Sequence, residues 1–100
     1  MAKRIPDTLL NAQGIGPREK LILIIISWQR DQNGVAKLGY RKLARFAGIG
    51  LSTAHRTIEQ LHRRNFITVI HGQKTVPNQY IINFEQIKKG SEKNDTQTIR

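Results

Sequence analysis

The strongest constraint on the fold is a pattern of small and apolar residues in the middle of the chain. It consists of Leu43, Ala44, Ala47, Gly48, Ile49, Ala54, Ile58 and Leu61. Two short helices can cross closely where small side chains meet, and a glycine permits a tight turn between them. The last three positions recur at i, i+4 and i+7, which is the spacing of one helical face. The pattern therefore predicts two helices packed around a glycine turn, the second covering residues 51–64.

A further helix is predicted before this pair. Pro17 is suited to a first helical position, where its missing N–H is not needed, and Glu19 favours the positive end of the helix dipole. The run from Leu21 to Ile26 is apolar at every position, so its periodicity cannot distinguish a buried helix from a buried strand. The start signal and the stop at residues 31–34 favour a helix. We expect its isoleucines and Trp28 to belong to the core.

Short β-strands are predicted around and after the helix pair. Residues 35–38 form a candidate short strand, while residues 66–71 and 79–84 are rich in β-branched and aromatic side chains. The turn-forming residues 72–78 connect the last two strands as a hairpin. The fold class is mainly α with a β-hairpin (α+β), arranged as an N-terminal leader at 1–15, one folded domain at 16–84 and a polar, flexible tail at 85–100.

The charge of the chain is concentrated on the same central segment. Seventeen lysines and arginines stand against seven acidic residues, giving a formal net charge of +10. Between Val35 and Lys74 there are eight basic residues and one acidic residue, Glu59. A positively charged surface attracts polyanions. Because the charge is concentrated on one motif, it favours a nucleic-acid-binding surface over an ordinary solvated one.

Helical geometry separates the outward side of the second helix from its buried side. At about 100° per residue from Ala54, the outward residues are Ser52, Arg56, Glu59 and Arg63, flanked by Thr53, His55 and Gln60. Arg56 faces outward within the basic segment, and a guanidinium can bond two acceptors of guanine together. The alternative is that these cations only pair within the protein, as Arg41 or Arg45 would with Glu59.

Taken together, these residues give the chain a resemblance to a known family: it resembles the helix-turn-helix and winged-helix domains of plasmid and phage replication proteins and small bacterial regulators. The resemblance covers residues 17–84 and rests on the apolar first helix, the Leu-Ala-x-x-Ala-Gly-Ile turn and the Asn-Phe-Ile after the second helix. The family often has serine before that helix, where this chain has Gly50, which can also cap. The resemblance implies a winged helix-turn-helix that binds double-stranded DNA, with the second helix in the major groove.

A helix in a groove contacts bases with its N-terminal half and phosphates with its ends, which assigns the candidate residues. The base-contacting candidates are Ser52, Thr53, His55 and Arg56. The backbone-contacting candidates are Tyr40, Arg41, Lys42, Arg63 and Arg64. Gln73 and Lys74 lie at the predicted wing tip. For Tyr40 the alternative is that it only covers the core.

Other classes of function have less support in the sequence. His55, Glu59 and His62 share one flank of the helix, but they lack a fourth ligand, so we predict no metal site and no cofactor. No phosphate loop, paired carboxylates or nucleophile with a base is present, so we do not expect an enzyme. The absence of cysteine, of a secretory signal and of an apolar run of membrane length fits a cytoplasmic protein without membrane contact.

The sequence leaves two questions about partners open. The protein could act in DNA replication or in transcription regulation of a mobile element, as a homodimer on a two-fold site or with further replication or transcription proteins. The rival function is a protein-interaction winged helix that docks RNA or an acidic partner without sequence-specific DNA binding.

Overall fold

The fold is known from a computed structural model, which describes residues 5–89. Its elements are α1 (Asp7–Leu10), α2 (Pro17–Gln29), β1 (Val35–Lys37), α3 (Tyr40–Ala47), α4 (Leu51–Arg63), β2 (Ile67–Ile70) and β3 (Gln79–Ile82). Residues 84–89 are also helical. The described part of the chain is therefore mixed α and β, with helices packed on a small antiparallel sheet, as the predicted α+β class requires.

The predicted helix before the central pair is confirmed as α2. Pro17 is its first residue, and the Glu19 carboxylate accepts a hydrogen bond from the Gly16 N–H at 3.2 Å, which satisfies a donor next to the helix end. The predicted burial is only partly right, because α2 packs on the rest of the fold with one side. Among its isoleucines, Ile22 and Ile26 are buried but Ile24 and Ile25 are only half-buried, and Trp28 is 45% exposed.

The three strands form one sheet with β3 in the centre. β3 pairs antiparallel with β2, as the predicted hairpin requires, with Val69 opposite Tyr80. β1 adds to the other side of β3, with Ala36 also opposite Tyr80. The central strand therefore carries the fully buried Tyr80 between two flanking strands. Burial raises the pKa of the Tyr80 phenol to about 12.

The central pair of helices forms as predicted. Gly48 ends α3 in the left-handed conformation with a φ of 71°, where a side chain would be strained. The Ile49 N–H donates to the Ala44 carbonyl at 3.0 Å and closes the turn. The buried residues of the pair include those predicted from spacing: Leu43, Ala44, Ala54, Ile58 and Leu61. Thr57 is also buried, which the sequence pattern did not predict.

The packed core extends beyond residues 16–84 on both sides. Leu9 and Ala12 lie in it before α2, and Ile87 joins it from the helical segment after β3. Residues 1–4 of the predicted leader and residues 90–100 of the predicted tail lie outside the described residues. Within residues 5–89, no helix has the length and apolar character needed to cross a membrane.

Candidate nucleic-acid interface

The outward side of α4 carries the side chains that helical geometry assigned to it. Ser52, Arg56, Glu59 and Arg63 are all exposed, while Ala54, Ile58 and Leu61 on the opposite side are buried. Thr53 is half-buried, and its carbonyl accepts a 2.8 Å hydrogen bond from the Thr57 hydroxyl. That bond satisfies the buried hydroxyl, so the inner face of α4 holds without an unpaired polar group.

Several cations on this side of the molecule have no acidic partner. Arg41, Arg45 and Arg56 are exposed, and none of them forms an ion pair with another residue in the range 5–89. The Lys42 ammonium lies 5.7 Å from the centre of the Phe46 ring and forms no ion pair with another residue of the described range. These side chains add positive potential around α3 and α4 without internal neutralisation.

Glu59 pairs with Arg63 and not with the arginines of α3. The two side chains are one helical turn apart, and they are 68% and 72% exposed, respectively. Exposed pairs at this spacing contribute only about 0.3–0.5 kcal/mol. Arg63 can therefore exchange the carboxylate for another anion at little cost.

Arg64 lies beside Arg63, but its guanidinium is engaged by other parts of the protein. Its guanidinium donates to the Gly14 carbonyl at 2.9 Å and lies 4.5 Å from the centre of the Phe66 ring. A longer contact of 3.5 Å joins it to the Glu19 carboxylate. The contacts with Gly14 and Glu19 tie the end of α4 to the start of α2 and to the residues before it, which gives Arg64 a structural use.

Tyr40 and His55 connect the two helices through their rings. The ring centroids are 3.7 Å apart and the planes are inclined by 26°, which is a stacked arrangement. Tyr40 is half-buried and packs against the core, which is the alternative role that the sequence left open for it. Burial, and then the Glu59 carboxylate, raise the pKa of the Tyr40 phenol. The stack restricts the His55 ring on the exposed surface of α4.

The loop between β2 and β3 is held in shape from within. The Gly72 N–H donates to the Asn78 side-chain oxygen at 2.8 Å, and the Asn78 amide donates to the Tyr80 hydroxyl at 3.2 Å. A Cβ at Gly72 would collide with the backbone carbonyl of Val76, so glycine is required there. Gln73 and Lys74 are exposed on this loop, which borders the start of α3 at Gly39 and Tyr40.

A groove of about 340 Å³ separates α4 from the hairpin. It is lined by Tyr40, His55, Ile58, Glu59, His62, Val69 and His71. All three histidines of the chain therefore border the same groove. Across residues 5–89, no group of three His, Cys, Asp or Glu side chains is arranged to hold a metal ion.

His62 and His71 are the lining residues that sequence reasoning left without a function. The spacing of His55 and His62 placed both on one flank of α4, but nothing in the local pattern of β2 indicated that His71 would face them. Its position depends on how the hairpin packs beside the helix, which is a tertiary property.

Searches of protein-family models, curated proteins and solved structures gave no match to this chain.

Proposed function

We propose that this chain is a winged-helix protein that binds double-stranded DNA, with α4 as its recognition helix in the major groove. The hairpin formed by β2 and β3 is the wing, and its loop reaches the duplex beside α4. The role of the protein in the cell is replication initiation or transcription regulation of a mobile element, as the sequence resemblance implies.

The observation that carries this proposal is the exposed, unpaired guanidinium of Arg56 on the outward side of a helix whose other side is buried. A positive charge attracts DNA wherever it lies, but sequence is read only by groups that reach base edges. Arg56 lies in the N-terminal half of α4, the part of a recognition helix that meets bases. Ser52 shares its exposed face and can bond a base edge or a phosphate.

The remaining basic candidates position the protein by contacting phosphates of the DNA backbone. Arg41 and Lys42, exposed in the first turn of α3, contact the DNA backbone beside α4. Arg63 joins them while it stays paired with Glu59, because a guanidinium has further N–H donors free for a phosphate. Lys74 on the wing loop holds the adjacent backbone. Each phosphate contact of this kind replaces a condensed counterion, so together they make duplex affinity strongly salt-dependent.

The test compares Arg56→Ala with Arg18→Ala, which removes the same charge from an exposed position at the start of α2. A duplex site is first selected from a random library. We expect Arg56→Ala to lose about 1–3 kcal/mol of discrimination at one base pair of that site. Arg18→Ala should keep the discrimination and change affinity only slightly.

The result that would contradict the proposal is Arg56→Ala with unchanged affinity and discrimination. If no sequence is enriched from the library while an RNA or an acidic protein binds, the chain is a docking module instead. The selected sequences also separate the two assemblies: a palindrome indicates a homodimer, and tandem direct repeats indicate an array of copies.

A further inference from the structure

We propose that the groove between α4 and the hairpin holds one sugar-phosphate strand of the duplex, and that His55, His62 and His71 strengthen this hold when they are protonated. This inference rests on the proposed function, because it assigns a ligand and a regulation to the same interface. It gives a use to the two histidines that the assignment of base and backbone contacts leaves out.

The position of the groove identifies the strand. In duplex DNA, a sugar-phosphate strand separates each major groove from the neighbouring minor groove. If α4 lies in the major groove and the loop carrying Lys74 reaches the next minor groove, the intervening strand passes between them. The groove lined by Tyr40, His62 and His71 occupies that place between helix and hairpin.

The lining suits a phosphate strand better than a neutral ligand when the histidines carry a proton. A protonated imidazole donates from both ring nitrogens and carries a positive charge, whereas the neutral ring offers one donor and no charge. His62 and His71 are exposed, so both can meet a ligand without rearrangement of the core. The apolar floor of the groove, Ile58 and Val69, fits the sugar edges of the strand.

The charged and titratable groups facing the histidines come from each neighbouring element. α3 contributes the Tyr40 phenol, which stacks on His55, and α4 contributes Glu59. Arg63 pairs with Glu59, which reduces the repulsion between that carboxylate and an entering phosphate. The wing loop adds Lys74, which lies in the neighbouring groove bordered by Tyr40.

The direction of the pH effect follows from this chemistry. Histidine changes its charge between about pH 5 and pH 8, so the groove becomes more positive as the pH falls through that range. A phosphate favours the protonated rings, and binding therefore takes up protons. Duplex affinity should rise on acidification and fall as the solution becomes alkaline.

The experiment measures binding of the full chain to a mixed-sequence DNA duplex at about pH 6 and about pH 8, over a series of salt concentrations. We expect the wild type to bind at least about fivefold more tightly at the lower pH. The slope of log affinity against log salt should steepen by about 0.9 for each additional phosphate that the protonated protein neutralises.

The variant carrying both His62→Gln and His71→Gln should lose most of the pH dependence and most of the change in slope. Arg18→Ala lowers the net charge outside the groove and should retain both, so it is the matched control. Since both histidines are exposed, thermal unfolding at each pH should be the same for variant and wild type.

Two further outcomes are distinguishable. Duplex binding with no pH dependence, or with the wild-type dependence retained in the double variant, overturns the inference and leaves the proposed function standing. Absence of duplex binding at both pH values overturns the proposed function and this inference with it.

Discussion

Helices α2 and α4 have the same length of thirteen residues and bury a stripe in the same core, but their outer faces differ in composition. α4 exposes Ser52, Arg56 and Arg63, whereas α2 exposes Leu21 and Trp28, at 39% and 45%. Folding requires only the inner stripe of either helix. The outward-facing residues are therefore free to serve a function other than folding. Those of α4 are polar and basic, which makes α4 the candidate helix for binding a polyanion.

The largest expected effect comes from core substitutions, which test whether the buried sides of α2 and α4 contribute equally to stability. Leu23 in α2 and Leu61 in α4 are both fully buried. We expect Leu23→Ala and Leu61→Ala each to lower the free energy of unfolding by about 2–5 kcal/mol, because each leaves a cavity as well as losing buried apolar surface. Urea denaturation followed by circular dichroism measures both. A loss below about 1 kcal/mol at either position would show that its helix contributes little to the core.

The two helices also show how far the sequence predicts such faces. In α4, apolar residues are separated by polar ones, so the spacing of Ala54, Ile58 and Leu61 was enough to assign the inner and outer sides. In α2, the run from Leu21 to Ile26 is apolar at every position. Which of those side chains face the core is decided by the packing of α3 and the sheet, and local periodicity carries no information about it.

The candidate site likewise has features that the sequence predicts and features that it does not. The exposure of Arg56 follows from local helical geometry and was predicted. The contacts of Arg64 with Gly14 and Glu19 join residues far apart in the chain, so no local pattern could assign them. The stack of Tyr40 on His55 and the approach of His71 to α4 also arise from tertiary packing. Charge and spacing thus predicted the surface of the helix, but not the groove beside it.

A smaller effect tests the outer faces. Leu21 is 39% exposed, so Leu21→Gln gives up only part of the apolar burial of a core leucine, and we expect the free energy of unfolding to fall by less than about 1 kcal/mol. Gln60→Ala, at an exposed position of α4, is the matched change and should be equally mild. The same denaturation measurement compares them. A loss above about 1 kcal/mol for Leu21→Gln alone would mean that the outer face of α2 is covered in solution, and a sedimentation measurement would then show whether a second copy covers it.

The smallest expected effect comes from substitutions at the C-terminal ends of the two helices, where different residues form the turn. After α4 the chain turns at Asn65, in the left-handed conformation at a φ of 65°, and the Asn65 side chain is not titratable. After α2 the turn depends on the Asp31 carboxylate, which accepts hydrogen bonds from the backbone N–H groups of Asn33 at 2.8 Å and Val35 at 3.1 Å. These bonds, that from Val35 above all, hold the pKa of Asp31 below its usual value.

The pH dependence at Asp31 has a definite sign. Because its pKa is lower in the folded chain than in the unfolded chain, the stabilisation is present above the unfolded pKa and is lost as the pH falls through the folded one. We therefore expect the thermal unfolding midpoint of the wild type to exceed that of Asp31→Asn near neutral pH, and the difference to shrink below about pH 4. An Asn65→Ser variant, altered at the end of α4, should keep the wild-type slope against pH in the acid range. A difference between wild type and Asp31→Asn that stays constant on acidification would show that the carboxylate charge does not stabilise the end of α2, and the contrast between the two helix ends would then be one of backbone conformation alone.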